Sequence, residues 1–320
     1  MGPLARTLRT AEGTNTAAFD TGDWLLTVAV ATIWGSSFLW TAIGLDSIDP
    51  AAVAFLRIVL GAAALWAYPP TRRPVDRMAL PGIVVVAVAG NAGPALLFAL
   101  AQQHVESSLA GMLNAATPLA ALLVTILLTR HGPGSRQVAG LLIGAVGIAT
   151  MTAPNLVGIS AAPLGMALLL VAVAGYGISN NIIVPLQQAY GAPAIVGRAL
   201  IIGSLLLAPL GAFGLSRSDL TLGSIAAVAI LGVVGTGTAR ALNATLAGRT
   251  GAARGALTTY LAPVVAITLG AVFRDDHIQA LELAGTALVL VGALLASRRS
   301  TPVTSGRPGR SSTDSWITVS

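Results

Sequence analysis

The sequence contains no cysteine, which excludes a disulfide framework, a cysteine zinc site and a thiol nucleophile from this chain. Its three histidines are too few for most metal chemistry, and no phosphate loop, metal-ligand cluster or serine nucleophile elbow is found. No cofactor and no metal are therefore expected, and the chain does not read as an enzyme. Charge is scarce: 9% of residues are Asp, Glu, Lys or Arg, against roughly 25% in an ordinary soluble domain. Lysine is missing altogether, so all 18 basic side chains are arginine. A pI near 10.9 would suit nucleic acid, but the arginines are scattered between apolar blocks and form no stripe. They read as topology signals, and no nucleic-acid partner is expected.

What the chain has in abundance is apolar length. Hydrophobic residues make up 55% of the chain and the mean hydropathy is +0.81, gathered in blocks of about 17–25 residues, the length that crosses a bilayer as a helix. The runs do not alternate as barrel strands do. The expected class is an all-α integral membrane protein with spans at Trp24–Leu45, Ala51–Tyr68, Ala79–Ala101, Ser107–Leu128 and Gln137–Met151, then Pro163–Val184, Pro193–Gly214, Leu222–Ala244, Ala253–Phe273 and Gln279–Ser297. Connections between them are short. The first apolar run begins too late and runs too long for a signal peptide, so it is read as a retained span. Residues 1–23 form a polar N-terminal segment, and residues 298–320, rich in Arg, Ser and Thr, have the composition of a disordered tail.

Basic loops stay on the cytoplasmic side. With the N terminus inside, thirteen arginines, among them Arg72, Arg73, Arg130, Arg136, Arg249 and Arg254, fall inside and only Arg217 and Arg274 outside. Both termini are therefore expected in the cytoplasm, in a multi-pass protein of the cytoplasmic membrane. Arg57, Arg198 and Arg240 lie within spans.

Residues 97–149 recur without a gap 145 residues later: Pro118 falls on Pro263, Gly140 on Gly285 and Gly147 on Gly292. The expected halves are 24–151 and 163–297, joined by a linker at 152–162. Five spans per half is an odd number, so the second half enters the membrane inverted relative to the first. The charges agree: the basic turn at Arg130 and Arg136 corresponds to the net acidic Arg274, Asp275 and Asp276.

Polar groups deep in spans are costly unless they face protein or water. Gly90-Asn91 corresponds to Gly235-Thr236, and Asn114 to Thr259, while Tyr176, Asn180, Asn181, Thr117, Thr258 and Tyr260 add donors and acceptors at similar depth. A single buried Asn commonly ties two helices together; a set on corresponding helices points to a polar cavity. Arg57 and Arg198 lie near enough to span ends to snorkel. Arg240 sits two-thirds through its span, and two readings stand side by side: contact with an anionic or carboxylate-bearing substrate, or snorkelling toward the Arg249 end. No carboxylate lies mid-span where a conventional proton relay would need one. Pro118 and Pro263, matched across the repeat, are read as helix-kinking residues. The small pairs Ser107/Gly111, Gly140/Gly144 and Ala252/Ala256 read as helix packing, and Trp24, Trp66 and Tyr68 as interfacial anchors.

The stretch Trp34-Gly35-Ser36-Ser37-Phe38, followed by Pro50 and Arg57, resembles the opening of bacterial drug/metabolite transporters of the EamA type. Ser107–Pro118 and Ala252–Pro263 resemble that family's fourth and ninth helices, each followed by a Gly-rich closing helix around Gly140 or Gly285, and Tyr176-Gly177-Ile178-Ser179-Asn180 resembles a second opening. The resemblance implies a ten-helix carrier of two inverted five-helix repeats that moves small metabolites, often outward. Where the family usually has a Glu between the last two helices of each half, this chain has His131 and Asp276.

The expectation is a secondary transporter of small metabolites, an exporter or exchanger working by alternating access in the lipid bilayer, for which a monomer suffices. Asn91, Asn114, Tyr176, Asn180, Arg240, Thr259 and Tyr260 are its expected substrate-binding residues. A channel is the first alternative. A membrane-embedded lipid-modifying protein is the second, and the missing catalytic cluster counts against it.

Overall fold

In lipid a chain must satisfy its backbone groups internally, and every regular element among the described residues is helical. The computed structural model describes residues 11–15, 17–105, 110, 113–130, 134–153, 163–265 and 280–298. Helices α1 (Thr21–Leu45) and α2 (Pro50–Ala67) are joined by a short turn, in which the Asp49 carboxylate caps the Ala51 N–H ahead of Pro50. Helix α3 runs through Leu80–Ala87, a π-helical turn at Val88–Ala92, and Gly93–Ala101. Then come α4 (Thr117–Thr129), α5 (Ser135–Thr152), α6 (Pro163–Tyr190) and α7 (Ala192–Leu215). Helix α8 comprises Leu222–Ile230, a π-helical segment at Leu231–Thr238, and Ala239–Thr250. Helix α9 starts at Ala252–Gly255, turns at 256–257 and resumes over 258–265; α10 is Ala280–Ser297. By length and composition α1, α2, α3, α6, α7 and α8 are able to cross a membrane, and α4, α5 and α10 contain shorter apolar stretches.

Four elements depart from expectation, one of them α9, where the turn at 256–257 breaks the span expected at Ala253–Phe273, whose residues beyond 265 lie outside the described ones. Helix α6 continues past Val184 to Tyr190, because Pro185 removes one intrahelical bond and membrane helices tolerate that loss. Helix α8 continues past Ala244 to Thr250 and stops where Gly251 takes φ +86°, a left-handed conformation suited to glycine. The span expected at Ser107–Leu128 is interrupted by a turn at Ala115 and Ala116, and α4 restarts at Thr117. Pro118 accordingly stands in the first turn of a helix, where its missing N–H costs nothing, instead of kinking a continuous one. Ser107, Gly111, His131, Arg274, Asp276 and the tail beyond 298 lie outside the described residues.

Helices α2 and α7 pack antiparallel, with Gly214 against Ala52 and Gly211 against Phe55. Helices α5 and α10 do the same: Gly140 meets the backbone of Gly292 and Ala296, and Gly147 that of Gly285 and Val289. A Cβ on Gly140 would stand 2.4 Å from the Ala296 nitrogen, and backbone cannot swing aside as a side chain does. Gly140→Ala is expected to lose about 1–2 kcal/mol from overpacking, read as a lower melting temperature in detergent; an unchanged value would mean that this crossing is looser than described.

One apolar cluster joins α2, α3, α6 and α7 around Ile58, Ile83, Ile182, Ile195 and Leu200. A second joins α1, α4, α5, α9 and α10 around Ala31, Leu122, Leu141, Tyr260 and Val289. At one end of the bundle, residues 11–15 and 17–20 lie across the α8–α9 junction. Thr14 and Asn15 donate their N–H groups to the Gly248 and Arg249 carbonyls, and Gln188 Nε2 donates to the Glu12 and Gly248 carbonyls. Arg249 pairs with Asp20 at 2.7 Å and Asp23 at 2.6 Å. Arg254 donates to the carbonyls of Asn15 and Ala17. At the opposite end, Ser218 Oγ accepts the Asp49 N–H, and the Ser47 and Thr221 hydroxyls lie 3.1 Å apart.

Candidate functional site

A cavity of about 700 Å³, its open mouth included, lies within the bundle. Its walls come from both halves of the chain: α1, α2, α3, the start of α4, α6, α8 and α9. Toward the Ser47 end it reaches Gln102, the C-cap of α3, and toward the Arg249 end it reaches Asn243 and Ala256.

Arg240 is the central charge. Its guanidinium lies 5.6 Å from the centroid of the Trp34 ring and 4.8 Å from that of Tyr176. Those two aromatics open the two similar stretches of α1 and α6. Each is followed by a glycine that lets its helix close on a neighbour: Gly35 against Ala262 and Val265 of α9, Gly177 against Ala120 of α4. Tyr176 also stacks on Phe98 at 6.0 Å.

The π-helical segment of α8 fixes two further groups. It offers the Gly235 carbonyl to Trp34 Nε1 at 3.1 Å and the Thr236 hydroxyl to Arg57 Nε at 3.1 Å. Its counterpart in α3, Val88–Ala92, falls within the same segment once the 145-residue shift is applied. A π turn redirects side chains and carbonyls that a 3.6-residue period would place elsewhere.

Of the residues expected to bind substrate, Asn114, Tyr176, Asn180, Arg240 and Thr259 line this cavity. Asn114 and Thr259 stand four residues before Pro118 and Pro263, which have no N–H to return to their carbonyls; the Asn114 carbonyl accepts from Thr117 Oγ1 instead. Two expected residues are placed elsewhere. Asn91 is buried within α3, its amide donating to the Val86 carbonyl five residues back. Tyr260 is fully buried against Gly144, and its hydroxyl donates to the Leu141 carbonyl at 2.8 Å, tying α9 to α5. Tyr260→Phe is therefore expected to lower stability by about 1 kcal/mol and to leave solute exchange unchanged. A changed solute preference would put Tyr260 back among the cavity groups.

Sequence reasoning missed other walls. Arg57, read as a snorkelling side chain, faces the cavity, and Ser37, Thr41, Gln102 and Asn243 join it. Ser37 and Arg57 had a visible signal, since both belong to the opening stretch of α1 and α2. Gln102 and Asn243 sit at the cavity's two ends and had none. Arg198 does take a structural role, donating to the Thr71, Arg73 and Ala194 carbonyls. Asn181 is the helix-tying type, bonded to Ala121 and Thr125 of α4. No group of three or more His, Cys, Asp or Glu that could hold a metal occurs among the described residues.

The model of the EamA-like transporter family matches this sequence twice, over residues 22–153 and 163–298. An uncharacterized transporter of Archaeoglobus fulgidus is 20% identical over 276 residues, covering 86% of this chain and 99% of its own. A crystal structure of another protein superposes with a TM-score of 0.69 at 21% identity, over 87% of this chain and 97% of that one; at that identity the likeness concerns the fold alone.

Proposed function

The chain belongs to the EamA-like transporter family, and from that premise we propose that it carries a small polar metabolite across the cytoplasmic membrane by alternating access, as an exporter or exchanger. The observation that carries the proposal is the cavity itself, walled by both halves and by Asn114 and Thr259, which correspond across the repeat. Asn114, Tyr176, Asn180, Arg240 and Thr259 are the proposed substrate contacts, with Trp34 and Arg57 added to them.

In this reading the two halves are inverted five-helix repeats with both termini in the cytoplasm. The crossed glycine contacts support it: Gly140 meets Gly292, the counterpart of Gly147, while Gly147 meets Gly285, the counterpart of Gly140. Such reciprocity is what a two-fold relation produces. An axis in the membrane plane then lets one half rock against the other around a fixed site.

The test is counterflow in proteoliposomes preloaded with a mixed pool of amino acids, organic acids and sugar phosphates. Trans-stimulated, saturable exchange supports a carrier. Flux that never saturates and shows no exchange points to a channel, and no flux for any solute by folded protein overturns the transport reading.

A further inference from the structure

An arginine inside an apolar bundle is costly unless something answers its charge. Arg198, Arg249 and Arg254 show what an answered arginine looks like in this protein. Arg198 donates to three carbonyls and lies over Trp66. Arg249 holds two carboxylates. Arg254 donates to two carbonyls and lies over Phe19.

Arg57 and Arg240 are built differently. Arg57 donates from Nε to the Thr236 hydroxyl, which leaves its terminal nitrogens for another partner. Arg240 has no hydrogen bond among the described residues and is held by the Trp34 and Tyr176 rings. Both side chains line the same cavity. Among the described residues no Asp or Glu lines the cavity, and the only ion pairs belong to Arg249.

Rings beside a guanidinium use none of its hydrogen-bonding capacity, and its N–H groups remain able to grip a carboxylate or phosphate through paired bonds. A cationic solute would meet two like charges and, among the described lining residues, no carboxylate. A monoanion would leave one arginine unanswered. Resting on the reading of this cavity as the transport site, we propose that the carried solute is a small organic dianion, a dicarboxylate or a phosphate monoester, whose acidic groups meet Arg57 and Arg240 together. The amides of Asn114 and Asn180 and the Thr259 hydroxyl hydrogen-bond the rest of it.

The experiment uses the full chain in detergent and in proteoliposomes. Succinate and glycerol 3-phosphate serve as dianionic probes, succinate monomethyl ester as the monoanion, alanine as the zwitterion and choline as the cation. One dianion is expected to raise the melting temperature and to exchange, and which one does so separates dicarboxylate from phosphate. Arg57→Gln and Arg240→Gln are each expected to weaken it about ten- to hundred-fold, the loss of a charge-assisted bond. Arg217→Gln, at an exposed arginine outside the cavity, should change nothing. The wild-type comparison remains decisive even where a Gln variant fails to fold. Exchange of alanine, choline or the monoester as fast as either dianion, or no protection by either dianion, overturns the charge assignment while leaving transport standing. Absence of exchange across the whole mixed pool overturns both.

Discussion

Replacing Trp34 and Tyr176 together by leucine is expected to lower solute exchange about a hundred-fold, with the protein still folded and monodisperse. Each ring over Arg240 contributes roughly 0.5–2 kcal/mol of cation–π attraction, and about 1.4 kcal/mol corresponds to a tenfold change. Arg240 has no hydrogen bond among the described residues to hold it once the rings are gone, so its guanidinium loses the contacts that fix it at the cavity wall. The single variants should fall about three- to thirty-fold on the same scale. Tyr176→Phe should stay close to wild type, because the ring and its stack on Phe98 remain. Wild-type exchange by the double variant would remove Arg240 from the transport site; an equal loss in Tyr176→Phe would shift the role to the phenol hydroxyl.

Much of this arrangement was legible in the sequence, and the illegible part has one physical origin. Apolar block length placed most of the described helices to within a few residues, and the 145-residue recurrence set Pro118 against Pro263 in the sequence. Depth of polar residues singled out Asn114, Tyr176, Asn180, Arg240 and Thr259, all of which line the cavity. Depth says how far into a span a residue lies but not toward which neighbour it points. Asn91 and Tyr260 lie as deep as the others and turn elsewhere, one along its own helix and one onto α5. Arg57 shows the converse error, a depth compatible with snorkelling and a direction into the cavity. Direction is obscured further by the π turns at Val88–Ala92 and Leu231–Thr238, which break the regular period from which a helix face is read. The packing glycines were visible one by one. Their crossed pairing of Gly140 with Gly292 and Gly147 with Gly285 was not, since an offset relates positions without saying which of them touch.

Arg249→Ala is expected to cost about 2–4 kcal/mol, more than Asp23→Ala and Arg249→Ala combined in one chain. The Asp23 side chain is 0% exposed, and stripping a buried carboxylate of its cation typically costs ~3–5 kcal/mol; Arg249, at 38% exposure, is partly solvated, which lowers the figure. Removing both charges leaves no uncompensated ion, so the double variant should recover part of the loss, a coupling measurable as a thermodynamic cycle in detergent. Additive losses would show that the pair contributes nothing beyond its separate residues. The pair also bears on the proposed transport, because it ties the start of α1 to Arg249 at the α8–α9 junction, the end of the bundle toward which the cavity reaches Asn243 and Ala256. If the chain alternates access as proposed, the Arg249 end opens in one state, and the expected consequence is that the pair parts with it. The absence of cysteine makes this directly measurable: a cysteine placed at Asn243, whose native side chain is buried at 6% exposure, would be the one thiol in the chain. Weakening the closed state by about 1.4 kcal/mol raises the open population tenfold, so Arg249→Ala should speed labelling of that thiol by a water-soluble reagent at least about tenfold. Labelling at the same rate in both backgrounds would make the ion pair a structural fastening only, and the opening of that end would have to be governed elsewhere.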